Sequence, residues 1–373
     1  MPFRLLRRLT FSCALLSALI TAAVAPSRPF AAEAAGATLV AAGHGPSGGG
    51  ASGGGASGGG VVVFAYNRFG EDRTPATSIR LDQFEEHLDE LRNGGYSIQP
   101  LPKIIDQLAS GATLPDRTVA VTIDEASRSA YREAWPRLRQ AGIPFTLFVA
   151  ADAIDRDAGN SMTWAEIRDL HNNGVTIGAL SASGRAMGAR DRQDLLNDLR
   201  REEERFQAEL GIKPTLFAYP FGEYSLEARA QVEQRGFSAA FGLQSGVAHA
   251  HADRFALPRF VMNESFGGID RFILAANALP LAVADLTPAD PVLVSNPPHL
   301  GFTLPEDIRH PERLACFATG QGRTVVERLD TNRIEVRLAD PLPPGRPRIN
   351  CTLPADDGRW HWFGVQFLVQ DRR

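Results

Sequence analysis

Excess charge of one sign is absent from this 373-residue chain: 39 Lys and Arg against 43 Asp and Glu give a formal net charge of -4 and a pI near 6.1. That balance excludes the basic footprint that nucleic acid or an anionic membrane surface would require. Cysteine is scarce, with three in the chain, and one of them, Cys13, lies in the opening apolar run without a convincing lipobox before it. The remaining pair is Cys316 and Cys351. Long hydrophobic runs are also lacking. The stretch from Phe11 to Val24 is short for a membrane span and is followed by Pro26 and Ser27, which favours cleavage over retention as an anchor.

What is present first is a targeting pattern. Arg4, Arg7 and Arg8 precede the apolar run, and small residues end at Ala25 or Ala34, so residues 1–34 read as a signal peptide for general secretion. Residues 35–60 read as a Gly/Ser-rich linker, which cannot bury a core. The expectation is an exported, soluble, periplasmic or extracellular protein with no transmembrane segment after cleavage. In that compartment Cys316 and Cys351 read as a disulfide, the alternative being two unpaired buried thiols.

Folded sequence is expected from Val61. Apolar runs at Val61 to Tyr66, Thr118 to Ile123, Phe145 to Val149, Val175 to Gly178, Thr215 to Ala218 and Ala239 to Phe241 read as strands. Helical patterns lie among them, including a long charged one from Asp191 to Leu210. Several strands are apolar throughout, as parallel strands covered by helices are. Repeated βα units of this kind predict an α/β fold, barrel or open sheet, with chemistry beyond the strand C-termini. After about Pro280 short runs separated by Pro-rich turns predict a small antiparallel β domain. The expected domains are therefore 61–282 and 283–373.

Three loops fall on the predicted catalytic face. Asp124-Glu125 ends one strand, Leu180-Ser-Ala-Ser-Gly184 follows another, and Phe217-Ala-Tyr-Pro-Phe-Gly-Glu-Tyr224 closes a third. In this order the segments Thr122-Ile-Asp-Glu-Ala126, Leu180 to Gly184 and Tyr219-Pro-Phe-Gly222 resemble the polysaccharide deacetylase family, the NodB-homology domain of carbohydrate esterase family four. The likeness spans about Val61 to Pro280. It is closest to the branch acting on poly-N-acetylglucosamine-like polymers, which shares Ala-Tyr-Pro-Phe-Gly-Glu-Tyr. The resemblance implies a distorted (β/α) barrel followed here by the small β domain.

By the same resemblance, Asp124 would be the catalytic base and Glu125 would stand where the first metal ligand belongs. Tyr219, Pro220, Phe221 and Gly222 would shape a sugar groove and supply a backbone donor. The family's metal-binding imidazoles map to Leu180 and Gly184, which offer no side-chain ligand. A catalytic metal is normally held by three protein ligands with water in the open position. It lowers that water's pKa from 15.7 toward about 7. With two imidazoles gone, no tightly bound cofactor is expected; a divalent metal such as zinc would need a rebuilt site. An ordinary alternative for Asp124-Glu125 is capping the helix near Ser127 or Ser129.

His249 and His251 are expected on the catalytic face, His171 at the opposite end, and His87 and His310 at the surface. His299 and His361 belong to the β domain, where Trp360 and Trp362 share a strand face and read as core. The leading expectation is a degenerate deacetylase that binds N-acetylated polysaccharide or oligosaccharide. The alternatives are an active N-deacetylase with substituted ligands and a non-catalytic module of envelope polysaccharide export.

Overall fold

The all-apolar run Val61–Tyr66 (β1) is buried along its whole length and forms the axis of a parallel sheet. The computed structural model describes residues 59–156 and 159–370. The expected signal peptide, with Cys13, and nearly all of the linker lie outside the described residues. Thr118–Asp124 (β2) pairs with β1 in parallel register, Val61 opposite Thr118 and Tyr66 opposite Ile123. Phe145–Val149 (β3), Thr176–Ala179 (β4), Leu216–Ala218 (β5) and Ala239–Phe241 (β6) continue the sheet, all parallel. Phe260–Val261 (β7) lies on the other side of β1, and a short strand, Ser97–Ile98, adds to β2.

The segment between β6 and β7 carries the sheet toward closure. Ala240 donates to Arg254 O, Leu257 donates to Ala240 O, and Gly242 donates to Leu257 O; three residues later the chain pairs with β1. The result is the distorted (β/α) barrel expected from the sequence, and its last staves bring Arg259 across to the end of β2. Helices between the strands end as their sequences dictate: Gly142 and Gly211 occupy the left-handed conformation that a side chain resists, stopping Trp135–Ala141 and Arg192–Leu210. Two apolar cores result, a large one under the helices and one centred on Val61, Leu101, Phe148 and Phe241.

The chain after Leu279 forms two further sheets around a third core containing Leu300, Phe302, Ile334, Val336 and Leu353. The short runs that the sequence offers here as strands, Thr324 to Leu329, Arg333 to Leu338 and Trp360 to Val369, form strands at Val325–Leu329, Arg333–Arg337 and Trp360–Gln366. Arg348–Pro354 was not expected. Its alternation of half-buried and buried residues is the period-two pattern of a strand with one covered face, and it pairs antiparallel with Trp360–Gln366. Cys316 and Cys351 face each other on adjacent strands and form a disulfide. One pairing is parallel, Leu279–Pro280 with His361 and Trp362, and it ties this region to the barrel. Trp362 packs edge-on against Phe260 at 5.2 Å, whereas Trp360 is 38% exposed and is not the core residue expected.

No helix among the described residues is long and apolar enough to cross a membrane.

Candidate functional site

The strand C-termini open into a cleft of about 390 Å³. Asp124, Glu125, Leu180, Phe221, Tyr66, Asn67 and Met262 line it, together with Arg346 and Arg348 from the C-terminal region. The three loops singled out by sequence therefore converge in space.

Asp124 is the last residue of β2 and is 7% exposed. Its carboxylate accepts two parallel hydrogen bonds from Arg259, Nη1 to Oδ1 at 2.7 Å and Nη2 to Oδ2 at 2.8 Å. Arg259 is fully buried and donates further to Thr122 Oγ1 at 3.0 Å and Gly242 O at 3.0 Å, with its guanidinium 5.4 Å from the Phe148 ring centroid. A buried charge is tolerated only when paired and saturated with hydrogen bonds, and this pair meets both conditions. The fork holds Asp124 in one orientation, with its edge toward the cleft. Arg259 escaped sequence reasoning. The available signal was a lone charge inside the apolar run Phe255 to Met262, a segment not recognised as a strand because Pro258 interrupts it.

Glu125 does not continue the strand. It and Ala126 have φ of 72° and 47°, left-handed values that turn the chain sharply, and Glu125 N donates to Phe148 O. The Glu125 carboxylate lies 3.8 Å from Arg68 and is partly exposed. Neither acid caps the next helix, so the capping alternative fails. Ser127 Oγ accepts from Ala130 N instead.

The loop 180–184 has a structural occupation of its own. Leu180 is 2% exposed and packs with Phe148, Ala150 and Phe241 in an apolar cluster. Leu180 N donates to Val149 O and to Glu202 Oε1, and Ala151 N donates to Glu202 Oε2. Burial pushes the Glu202 carboxyl well above the usual range, an effect opposed by these two N–H donors. Ser183 donates through both N and Oγ to Asp198, which also receives Arg190 and Arg201. Gly184 has φ 61°, and a Cβ there would meet Ala150 Cβ at 3.2 Å. Helix Arg192–Leu210 thus pins the whole loop through two buried acids.

Of the four residues expected to form a sugar groove, only Phe221 presents its side chain to the cleft. It is 43% exposed with φ 59°. Tyr219 is fully buried, donates to Phe255 O and stacks on Tyr224, so its expected groove role is corrected to a core role. Pro220 and Gly222 are buried in the turn. Gly222 N donates to Tyr219 O and Glu223 N to Pro220 O, which leaves neither N–H free as an outward donor. Gly222 itself is required, since a Cβ would run into the Leu243 backbone.

The histidines require two corrections. Ala248 exchanges hydrogen bonds with Val61, at the start of β1, which places His249 and His251 at the strand N-termini, away from Asp124. The sequence error was to extrapolate from the end of β6 without allowing the loop to return beneath the barrel. His87 is fully buried instead of superficial: Nδ1 lies 2.9 Å from Tyr66 Oη and Nε2 lies 2.9 Å from Gly267 O, with the ring stacked on Phe272. Burial lowers its pKa to about 4, so it is neutral, and the pairing assigns the proton to Nε2. His310 is exposed as expected.

A divalent metal, which the deacetylase resemblance implies, does not fit these donors. Among the described residues no group of three His, Cys, Asp or Glu side chains is disposed to hold one. Asp124 is committed to Arg259, Glu125 faces Arg68, and positions 180 and 184 contribute an apolar wall and a bare backbone.

Comparison with known proteins agrees with this fold. Residues 111–240 match the family model described as polysaccharide deacetylase. The chain is 20% identical over 186 residues to the polysaccharide deacetylase YxkH of Bacillus subtilis (strain 168), spanning 50% of this chain and 66% of that protein. It is 21% identical over 214 residues to the poly-beta-1,6-N-acetyl-D-glucosamine N-deacetylase of Escherichia coli (strain K12), spanning 46% of this chain and 32% of that one. The alignments thus span just under two thirds and about one third of these relatives. Among solved structures, IcaB from Ammonifex degensii superposes with TM-score 0.52 at 26% identity, covering 59% of this chain and 98% of that one. The Streptococcus pyogenes deacetylase PplD, in complex with acetate, gives 0.55 at 13% identity over 59% and 99%. Over residues 111–240 the chain thus matches a polysaccharide deacetylase domain, and it is similar to proteins named as poly-beta-1,6-N-acetyl-D-glucosamine N-deacetylases.

Proposed function

We propose that this protein binds N-acetylated glycans in the cleft at the strand C-termini without metal-dependent deacetylation, and that it does so as an exported protein. The observation that carries the reading is the state of the 180–184 loop. Its two ligand positions are occupied by Leu180 and Gly184, and Asp198 and Glu202 hold the backbone between them. The metal supplies the hydroxide in this chemistry, and binding comparable to a structural zinc site, roughly 10–16 kcal/mol, is spread over about four ligands. One carboxylate facing an arginine cannot supply it.

What remains suits binding. Asp124 is held rigidly by Arg259 and offers a fixed acceptor, and Asn67 adds an amide. Phe221 offers an exposed aromatic face of the kind that stacks on sugar rings. The relatives named as poly-N-acetylglucosamine deacetylases make an N-acetylhexosamine polymer the natural first substrate to try. In the test, mature protein is incubated with a β-1,6-linked N-acetylglucosamine oligomer and excess zinc or cobalt. Saturable binding without acetate release is expected. Acetate release that depends on added metal would contradict the reading, and so would absence of binding.

A further inference from the structure

The cleft carries a charge arrangement that catalysis by the barrel alone would not require. Two arginines on its wall, Arg346 and Arg348, come from the C-terminal region. Arg346 donates to Glu223 at 2.8 Å and lies over the Phe221 ring at 4.4 Å, which braces the aromatic platform. Arg348 donates only to a neutral acceptor, Gln366 Oε1 at 2.9 Å, and Gln366 in turn donates to Phe221 O at 3.0 Å. Behind them Arg271 donates to the carbonyls of Val261 and Phe266. Among the described residues neither Arg348 nor Arg271 has a carboxylate partner. Burial lowers the affinity of both for their protons, and the like charge of a neighbouring arginine adds to the effect.

The other charges of the cleft are accounted for. Asp124 is matched by Arg259, and Arg346 by Glu223, while Glu125 shares Arg68 with Glu71. The uncompensated positive charge is therefore localised on the side of Arg348 and Arg271. Half-buried guanidinium groups without acids are costly to keep, and a site that recovers the cost does so by pairing them with an incoming anion. A second group points to a ligand as well. Asn67 Oδ1 is buried on the cleft wall with no hydrogen-bond partner in the protein, an acceptor suited to a sugar hydroxyl or amide N–H. The volume of about 390 Å³ lies in the range of small-molecule sites.

We infer that the cleft is built for an acidic glycan, with Arg348 pairing its carboxylate or phosphate and Phe221 and Asn67 receiving the sugar. The inference rests on the glycan-binding reading and adds the ligand's charge, a feature a neutral N-acetylglucosamine polymer lacks. It also gives the C-terminal region a role as one wall of the site.

The test uses the mature full chain and matched probes in calorimetric titrations at low and moderate salt. One pair is a hyaluronan hexasaccharide against chitohexaose, and the other is N-acetylglucosamine 6-phosphate against N-acetylglucosamine. The acidic member of at least one pair should bind about tenfold more tightly at low salt, as one charge-assisted contact allows, and the preference should shrink as salt rises. Which pair shows it tells carboxylate from phosphate. Arg348→Gln should abolish the preference, so that the acidic and neutral members of each pair bind alike. Arg348→Lys, which keeps the charge but loses the planar fork, should reduce it if Arg348→Gln fails to fold. Equal binding of acidic and neutral probes, or a preference untouched by either substitution, overturns the inference and leaves glycan binding standing. Failure of all four probes to bind overturns both.

Discussion

The two acidic clusters beside the cleft have taken opposite paths. At the end of β2, Asp124 keeps a buried, bidentate arginine and an orientation toward the cleft. Beyond β4, the acids Asp198 and Glu202 face away from any ligand and bind the backbone of the 180–184 loop to helix Arg192–Leu210. In the first cluster the protein holds a carboxylate in place. In the second, carboxylates hold the protein in place. The lesson is that imidazoles at positions 180 and 184 would be more than a local change, because the surrounding loop has a packing and hydrogen-bonding role that an added ligand must displace.

The contrast is broken most severely at its first half. Asp124→Asn leaves Arg259 buried without its counter-charge, and should cost about 3–5 kcal/mol of unfolding free energy in urea titrations. A loss below about 1 kcal/mol would show that the pair is dispensable to the fold. Next in size is acid sensitivity beneath the cleft. His87 has a folded pKa near 4 against an unfolded value near 6.5, so the unfolded chain binds the extra proton. The stabilisation is complete above pH 6.5 and is lost as pH falls toward 4, by about 3 kcal/mol over that window. His87→Gln should flatten that slope in stability measurements from pH 7 to 4; an unchanged slope would place the titrating group elsewhere.

The second half of the contrast is sharpened by placing imidazoles at both positions. Leu180→His with Gly184→His should destabilise the fold by about 1–3 kcal/mol. It places a polar ring in an apolar cluster, and a side chain at a left-handed position against Ala150. Zinc affinity should stay close to wild type in chelator competition, and a tight site would mean the loop is more pliable than its bonds to Asp198 and Glu202 imply. The smallest effect is at the rim. Phe221→Ala should weaken glycan binding by about 1 kcal/mol, with stability nearly unchanged, as read by titration and thermal unfolding together.

Much of this molecule was legible from periodicity. The strands of the parallel sheet are short and apolar, and the glycines after the helices mark their ends, so the α/β class and the three loops at the strand C-termini follow directly, while the barrel is what the family resemblance implied. The site was legible in its positions but not in its contacts. Nothing local reveals that Arg259, 135 residues from Asp124, closes the barrel onto it, or that Arg346 and Arg348 reach the cleft from the C-terminal region. Tyr219 was misplaced because a Pro-aromatic-Gly turn does not state which aromatic faces inward. His87 was misplaced because its burial depends on Phe272 and Gly267, the latter 180 residues downstream.

The central claim is that this cleft cannot hold a catalytic metal, and elemental analysis of the mature protein after zinc loading and desalting tests it most directly. The account predicts metal far below one equivalent per chain, unchanged by Asp124→Asn. One retained equivalent that Asp124→Asn or Glu125→Gln removes would contradict it.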